Sequence, residues 1–314
     1  MLSLLALILA LAVSGCSKGD REHWTVVASF TNASGPEMLA IRQELEAAAN
    51  RDKRIELRVD DYHGIIESQC KQLASRDDHG DVLIVVPDRP VVLDRILHDL
   101  HKHGQQVIAL RYDIGHDDFS VALLPDDLTI GRAAGTWAAS HLVDGGNIVA
   151  LKGNMSVRRS QERQRGFLQG LTPKPTRNSA EPPNAPKLVY ESETDGTRSG
   201  ASRAMRDALV AQSKIDVVFA HSDEIAFGAY ECAVAAGRER ELAIIGVGGL
   251  ADTGLAWLSD GILAATLTVP HGGEEAINYA MRMLSGERFD AARVRLPSRL
   301  YTFDSVQTGG TPIR

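Results

Sequence analysis

Cysteine is scarce in this chain, with only Cys16, Cys70 and Cys232 among 314 residues. Cys70 and Cys232 fall within predicted helices far apart in sequence, which reads as two free buried thiols and not as a bridge. Basic charge is also short. The 34 Lys and Arg against 41 Asp and Glu leave a formal charge of −7, which argues against nucleic acid as a partner because phosphate binding needs a basic surface. No helix-turn-helix pattern precedes the first predicted strand. No zinc ligands converge either: His98, His101 and His103 gather at one helix end, where imidazoles suit the negative end of the dipole.

What is present is a regular alternation of apolar runs and amphipathic stretches. Its clearest unit is Ile215–Leu250. The apolar run Val217–Ala220 ends in His221-Ser222, Asp223 can cap a helix that Gly237 stops, and Leu242–Val247 follows. Strand, polar turn, helix, strand is the βαβ unit of a parallel sheet, whose ligands sit beyond the carboxyl ends of the strands.

The same grammar holds upstream. Predicted strands are Trp24–Phe30, Ile55–Val59, Asp81–Val86 and Val107–Leu110, with helices between them. Ser120–Asp127 reads as a crossing, after which the pattern restarts with the helix Ile130–Leu142 and the strand Asn147–Leu151. Residues 172–187 hold five of the twelve prolines and read as a surface excursion. The expected architecture is α/β: two Rossmann-like lobes with parallel sheets, a three-segment hinge, and a ligand cleft between the lobes.

At the N-terminus, Leu2–Val13 is almost wholly apolar and uncharged, too short for a mature membrane span but of signal-peptide length. It ends in Val13-Ser14-Gly15-Cys16, which resembles the lipobox of bacterial lipoproteins, although no Lys or Arg precedes the run. The expectation is an exported protein, lipidated at Cys16 and facing the periplasm or cell exterior, with residues 17–22 as a tether.

Seven further stretches stand in one order: DVLIVVP, GQQVIAL, IGRAAGTWAASHL with GGNIVAL, ERQRGFLQGL, IDVVFAHSDEIAFGAYECAVAAG, IIGVGGL and DGILAATLTVP. Through them the chain resembles the type I periplasmic binding proteins, the ribose/galactose-type solute receptors of bacterial ABC importers. The resemblance implies crossings near 124–127, 266–270 and 296–299. The implied N-terminal lobe is 23–125 plus 270–297, and the C-terminal lobe 126–269 plus 298–314. It also implies a monomer without cofactor or metal that captures a sugar-like solute by lobe closure and presents it to a permease.

Carrying the family's ligand positions over gives a heavily altered set. The first turn is Phe30-Thr31-Asn32, with Glu37-Met38 where aromatics are common. Asp88 ends the third strand. Arg111-Tyr112, then Asp113, stand where the family often has Asp-Arg. Gln161 replaces an arginine, with Arg158, Arg159 and Arg163 nearby. Ser222 stands for an asparagine, and Gly248 for the aspartate of Gly-Val-Asp-Gly. Phe30 and Tyr112 offer stacking faces, and Arg111 reads equally as a fork for an anion or diol and as a salt bridge. Three arginines near the cleft and no carboxylate at Gly248 motivate an acidic sugar-like solute.

Catalytic look-alikes are set aside. The neighbours His221-Ser222-Asp223 cannot adopt relay geometry with one another, and the GxGxxA match at Gly246–Ala251 lies after its βαβ unit, without the acid expected on the next strand. The rival readings are a receptor for a chemoreceptor or sensor kinase and, in another class, an exported α/β enzyme such as an oxidoreductase.

Overall fold

A computed structural model of the protein describes residues 23–75, 78–87, 90–111, 117–172 and 185–313. Cys16 and its leader, Asp88, Tyr112, Asp113 and most of the proline-rich excursion lie outside the described residues.

The first sheet collects β1 (Trp24–Phe30), β2 (Ile55–Asp61), β3 (Val82–Val86), β4 (Gln106–Leu110) and β5 (Val121–Pro125), with α1 (Pro36–Ala49), α2 (Ile66–Ala74) and α3 (Pro90–Lys102) between them. The chain then builds a second sheet. Its elements are α4 (Asp127–His141), β6 (Asn147–Lys152), α5 (Arg158–Leu171), β7 (Lys187–Glu193), α6 (Arg198–Ala211), β8 (Val217–Ala220), α7 (Asp223–Ala235), β9 (Ala243–Gly248), α8 (Gly254–Ser259) and β10 (Ala265–Thr268). It returns to the first lobe for α9 (Gly273–Leu284) and β11 (Ala292–Leu296), then crosses again for β12 (Arg299–Thr302) and β13 (Thr311–Pro312).

Strand order is β2-β1-β3-β4-β5-β11 in one sheet and β7-β6-β8-β9-β10-β12-β13 in the other. The first sheet is parallel throughout, while in the second only the β10–β12 and β12–β13 pairings are antiparallel. Each sheet carries a separate apolar cluster on each face. That double covering explains why β3 and β5 are buried at every position and show no alternation. It also corrects the reading of Ser120–Asp127 as a crossing: Val121–Pro125 is a core strand paired with β4 and β11. Only position 126 links it to α4, and there the Asp126 side chain accepts the Thr129 N–H at 3.0 Å.

The two cysteines lie in different lobes, Cys70 half-buried in α2 and Cys232 buried in α7, and both are free.

The helices α4 and α5 pack with unusually little between them. Gly131 and Gly135 of α4 face Gly166 and Gly170 of α5, and a Cβ on any of the four would enter a carbonyl oxygen of the opposite helix. Spacing by four puts each pair on one helix face, so the two backbones meet directly. The middle of α5, from Arg163 to Gly166, is thereby held against the start of α4, where the chain leaves the hinge.

Candidate functional site

Both sheets reverse their strand order, between β1 and β3 in one lobe and between β6 and β8 in the other. Crevices at such switch points, beyond the carboxyl ends of the strands, are where open α/β sheets take ligands. The turns after β1, β4, β6 and β8 therefore define the site, beside the linking residues 269–272.

On the first lobe's side, Phe30 is wholly buried in the core beneath α1. This corrects its assignment as a stacking face: β1 is covered on both sides and its last residue still points inward. Asn32, half-buried, accepts the Ser34 N–H and hydroxyl at 2.9 and 2.6 Å and stays at the turn surface. Arg111 is an ion-pair residue rather than an open fork. Its side chain is 0% exposed, with Nη2 2.5 Å from Glu37 Oε1 and Nη1 donating to the Pro270 carbonyl at 3.3 Å. It sits at φ 71°, a backbone conformation uncommon outside glycine, where the buried guanidinium contacts hold it.

Glu37 is the side chain that covers Arg111, and it remains 39% exposed. Burial pushes its pKa up, but Arg111 first, then Arg159, His271 and Arg163, outweigh burial and hold it below the ordinary glutamate value. Arg159 and Arg163 belong to the second lobe, so this carboxylate lies within electrostatic reach of both walls. Nearby, His271 Nδ1 lies 2.8 Å from Glu44 Oε1, and the Gly273 N–H donates to Glu44 Oε2 at 3.0 Å, which fastens the linking segment to α1.

On the second lobe's side, Arg158 pairs with Glu162 at 3.0 Å and is 65% exposed, while Arg159 is half-buried. Gln161 is exposed and donates to the Met155 carbonyl at 2.8 Å, bracing the loop before α5. The buried cation is Arg163. Its Nε donates to Asp127 Oδ1 at 3.0 Å, its Nη2 donates to the same oxygen, and its Nη1 donates to the His221 carbonyl. Gln164 donates to Glu191 Oε2 at 3.2 Å, so its Oε1 faces His221 Nε2 at 3.1 Å, and that ring nitrogen carries the hydrogen. Burial, followed by the charges of Arg163 and Lys152, drives the His221 pKa well below the usual imidazole range, and the ring is neutral.

Ser222 takes the capping role expected of Asp223. Ser222 is the cap of α7, its hydroxyl accepting the Ile225 N–H at 3.2 Å, whereas Asp223 is buried. Asp223 accepts from the Gly249 N–H at 2.6 Å and the Thr266 hydroxyl at 2.7 Å. Gly246, Gly248 and Gly254 surround it, and a Cβ on any of them would strike its carboxylate. The glycine-rich run is thus a cradle for an internal acid. Gly248 lacks a side chain because Asp223 fills the space where one would go.

Burial, only partly offset by those two hydrogen bonds, raises the Asp223 pKa to about 6. A carboxyl raised from an ordinary 3.9 makes the fold lose roughly 3 kcal/mol as pH rises from about 4 to about 6. His221 acts oppositely: depressed in the fold, it withdraws stability as pH falls below about 6.5. The two slopes oppose each other in the intact protein, and single variants should separate them. In urea denaturation at pH 4.5, 5.5 and 7, Asp223→Asn should gain on the wild type as pH rises, and His221→Gln should gain as pH falls. Parallel pH profiles for all three proteins would contradict these assignments.

Among the described residues, no group of three or more His, Cys, Asp or Glu is placed to hold a metal. The clustered histidines are used locally instead: His98 Nδ1 lies 2.6 Å from Asp118 Oδ1, and His103 Nδ1 2.5 Å from the Asp99 carbonyl.

Two α/β lobes, linked three times and facing each other with polar turns at both switch points, define a class of binding clamp. Residues 29–288 match the family described as periplasmic binding protein domain, and the chain belongs to that family. It is a binding protein and not an enzyme. Among known proteins it is similar to the ribose import binding protein of Salmonella typhimurium, 27% identical over 236 residues that cover 72% of this chain and 76% of the relative. Among solved structures it is similar to the Caulobacter myo-inositol binding protein bound to myo-inositol, 25% identical with a TM-score of 0.75, covering 92% and 96% of the two chains. The fructose binding periplasmic domain of a hybrid two component system shares the fold, with a TM-score of 0.77 at 24% identity, covering 91% and 93%.

Sequence reading passed over Glu37, Asp127, Gln164, Thr266 and His271 as site residues, and met Arg163 only as a neighbour of Gln161. Each pairs with a residue distant in the chain. The one available signal was a carboxylate at position 37 where the resemblance puts aromatic side chains.

Proposed function

We propose that this protein is the solute-binding lipoprotein of an ABC importer, tethered through Cys16, which captures a sugar-like solute between its lobes and presents the closed form to a permease. The observation that carries the reading is the two facing sets of strand-end turns, after β1 and β4 on one wall and after β6 and β8 on the other. A solute touching both walls favours the closed state by the free energy of those extra contacts. The sugar class is supported by the ribose import and myo-inositol binding relatives.

The acidic solute suggested by Arg111, Arg158 and Arg159 has less support than a neutral polyhydroxyl one. Arg111 meets Glu37, and Arg158 meets Glu162. A neutral sugar suits a wall of paired charges, because each carboxylate and guanidinium can accept from or donate to hydroxyls without a net charge to satisfy.

Mass spectrometry of solute released from freshly purified protein, with a thermal-shift panel of pentoses, hexoses, inositols and sugar acids, tests this. The expected result is a released polyol and a melting temperature raised by several degrees by a neutral member. Stabilisation by sugar acids alone would restore the acidic reading, and no response to any member would oppose the sugar class.

A further inference from the structure

We infer that Glu37 is the specificity-determining residue of the cleft: it occupies the Arg111 guanidinium as an internal anion and so excludes solutes that carry a carboxylate there. This rests on the proposed binding site between the lobes. Three observations carry it. Arg111 is the buried partner, at 0% side-chain exposure, and Glu37 is the exposed one at 39%, so a solute entering beside the hinge meets the carboxylate and not the cation behind it. The contact is close, Nη2 to Oε1 at 2.5 Å, and the same guanidinium donates to the Pro270 carbonyl, which fixes it relative to the hinge. Arg159, His271 and Arg163 also bear on Glu37, which keeps it ionised.

A carboxylate in this place acts in two ways. Its oxygens accept hydrogen bonds from the hydroxyls of a polyol, and charge-assisted bonds of this kind are the stronger ones. Toward a solute carboxylate it presents a like charge and fills the position from which Arg111 could form an ion pair, so discrimination comes from a built-in repulsive element. Gln in its place would keep a hydrogen bond to Arg111 and remove the repulsion. Ala would vacate the fork.

The test compares wild type, Glu37→Gln and Glu37→Ala by thermal shift and isothermal titration. The probes are D-galactose and myo-inositol as neutral polyols, D-galacturonate as the acid counterpart, and sodium formate against sodium chloride at equal ionic strength. Formate should stabilise Glu37→Ala by some degrees beyond chloride and leave the wild type unmoved, because it refills the vacated fork. Galacturonate should bind Glu37→Ala and Glu37→Gln at least tenfold more tightly than wild type. The inference is overturned if formate gives Glu37→Ala no advantage over chloride, or if galacturonate binds the wild type as well as the variants. Failure of both neutral probes on wild type, with the formate response intact, would count against the sugar reading and leave the role of Glu37 standing.

Discussion

Urea denaturation of Gly166→Ala is expected to show a midpoint lowered by the equivalent of about 3 kcal/mol, with an unchanged slope. The methyl group would enter the carbonyl oxygen of Leu128, and the neighbouring contacts at Gly131, Gly135 and Gly170 are equally close, so α5 cannot yield at one point without parting from α4 along the crossing. Intrinsic propensity works the other way, since alanine favours a helix interior over glycine by about 1 kcal/mol. The steric term should win, because the Cβ is fixed by its own backbone and the atom it meets is a backbone oxygen, so neither has a rotamer to change. Gly153→Ala is the control, because a Cβ there finds its nearest neighbours at 3.5 and 3.8 Å, and stability should stay within about 0.5 kcal/mol. Equal stabilities for the two variants would mean that the helices are not in backbone contact.

The second large effect concerns the buried pair of Arg163 and Asp127, which are 7% and 3% exposed. Replacing Arg163 by Met should cost about 3–5 kcal/mol, because it strands the Asp127 carboxylate away from water and removes the donor to the His221 carbonyl. Asp127→Leu alone should cost a similar amount. The double variant should recover much of the loss, since two apolar side chains desolvate without an orphaned charge. Additive losses in the double variant would indicate that each residue acts through other contacts. Arg163 also fixes the first turns of α5 to α4 and to the end of β8. The single variants should therefore weaken solute binding as well as folding.

The fold was largely legible from Val217–Ala220, Val82–Val86 and their counterparts, because parallel strands covered on both faces read as short continuous apolar runs between amphipathic helices. The same property hid two details. Val121–Pro125 is such a run, but it leads through position 126 alone into α4, so strand and crossing share one stretch of sequence, and in Phe30 the run gives no sign of which way the ring points.

The site was less legible because its pairings are long-range. Glu37 meets Arg111 across 74 positions, and Arg163 meets His221 across 58. No periodicity encodes such distances. Ser222 and Asp223 can both cap a helix, and the choice is made by the space that Gly246, Gly248 and Gly254 leave for one carboxylate. Gly248 was read as an absent ligand group, although its lack of a side chain serves a neighbour inside the lobe.

The passage from β11 to β12 sets the mechanics of the clamp. One strand borders the first sheet, the other joins the second, and only Pro297 and Ser298 lie between them. At about 3.6 Å per residue, the Cα atoms of Leu296 and Arg299 can never be more than about 11 Å apart. The strands border β5 and β10, from which the other two crossings leave, so this short strap forbids the lobes to slide or separate. It leaves them rotation about a pivot, and travel grows in proportion to distance from that pivot. Side chains beside the strap, such as Arg111 against Pro270, behave as a fulcrum and barely move, while groups at the far rim sweep the widest arc.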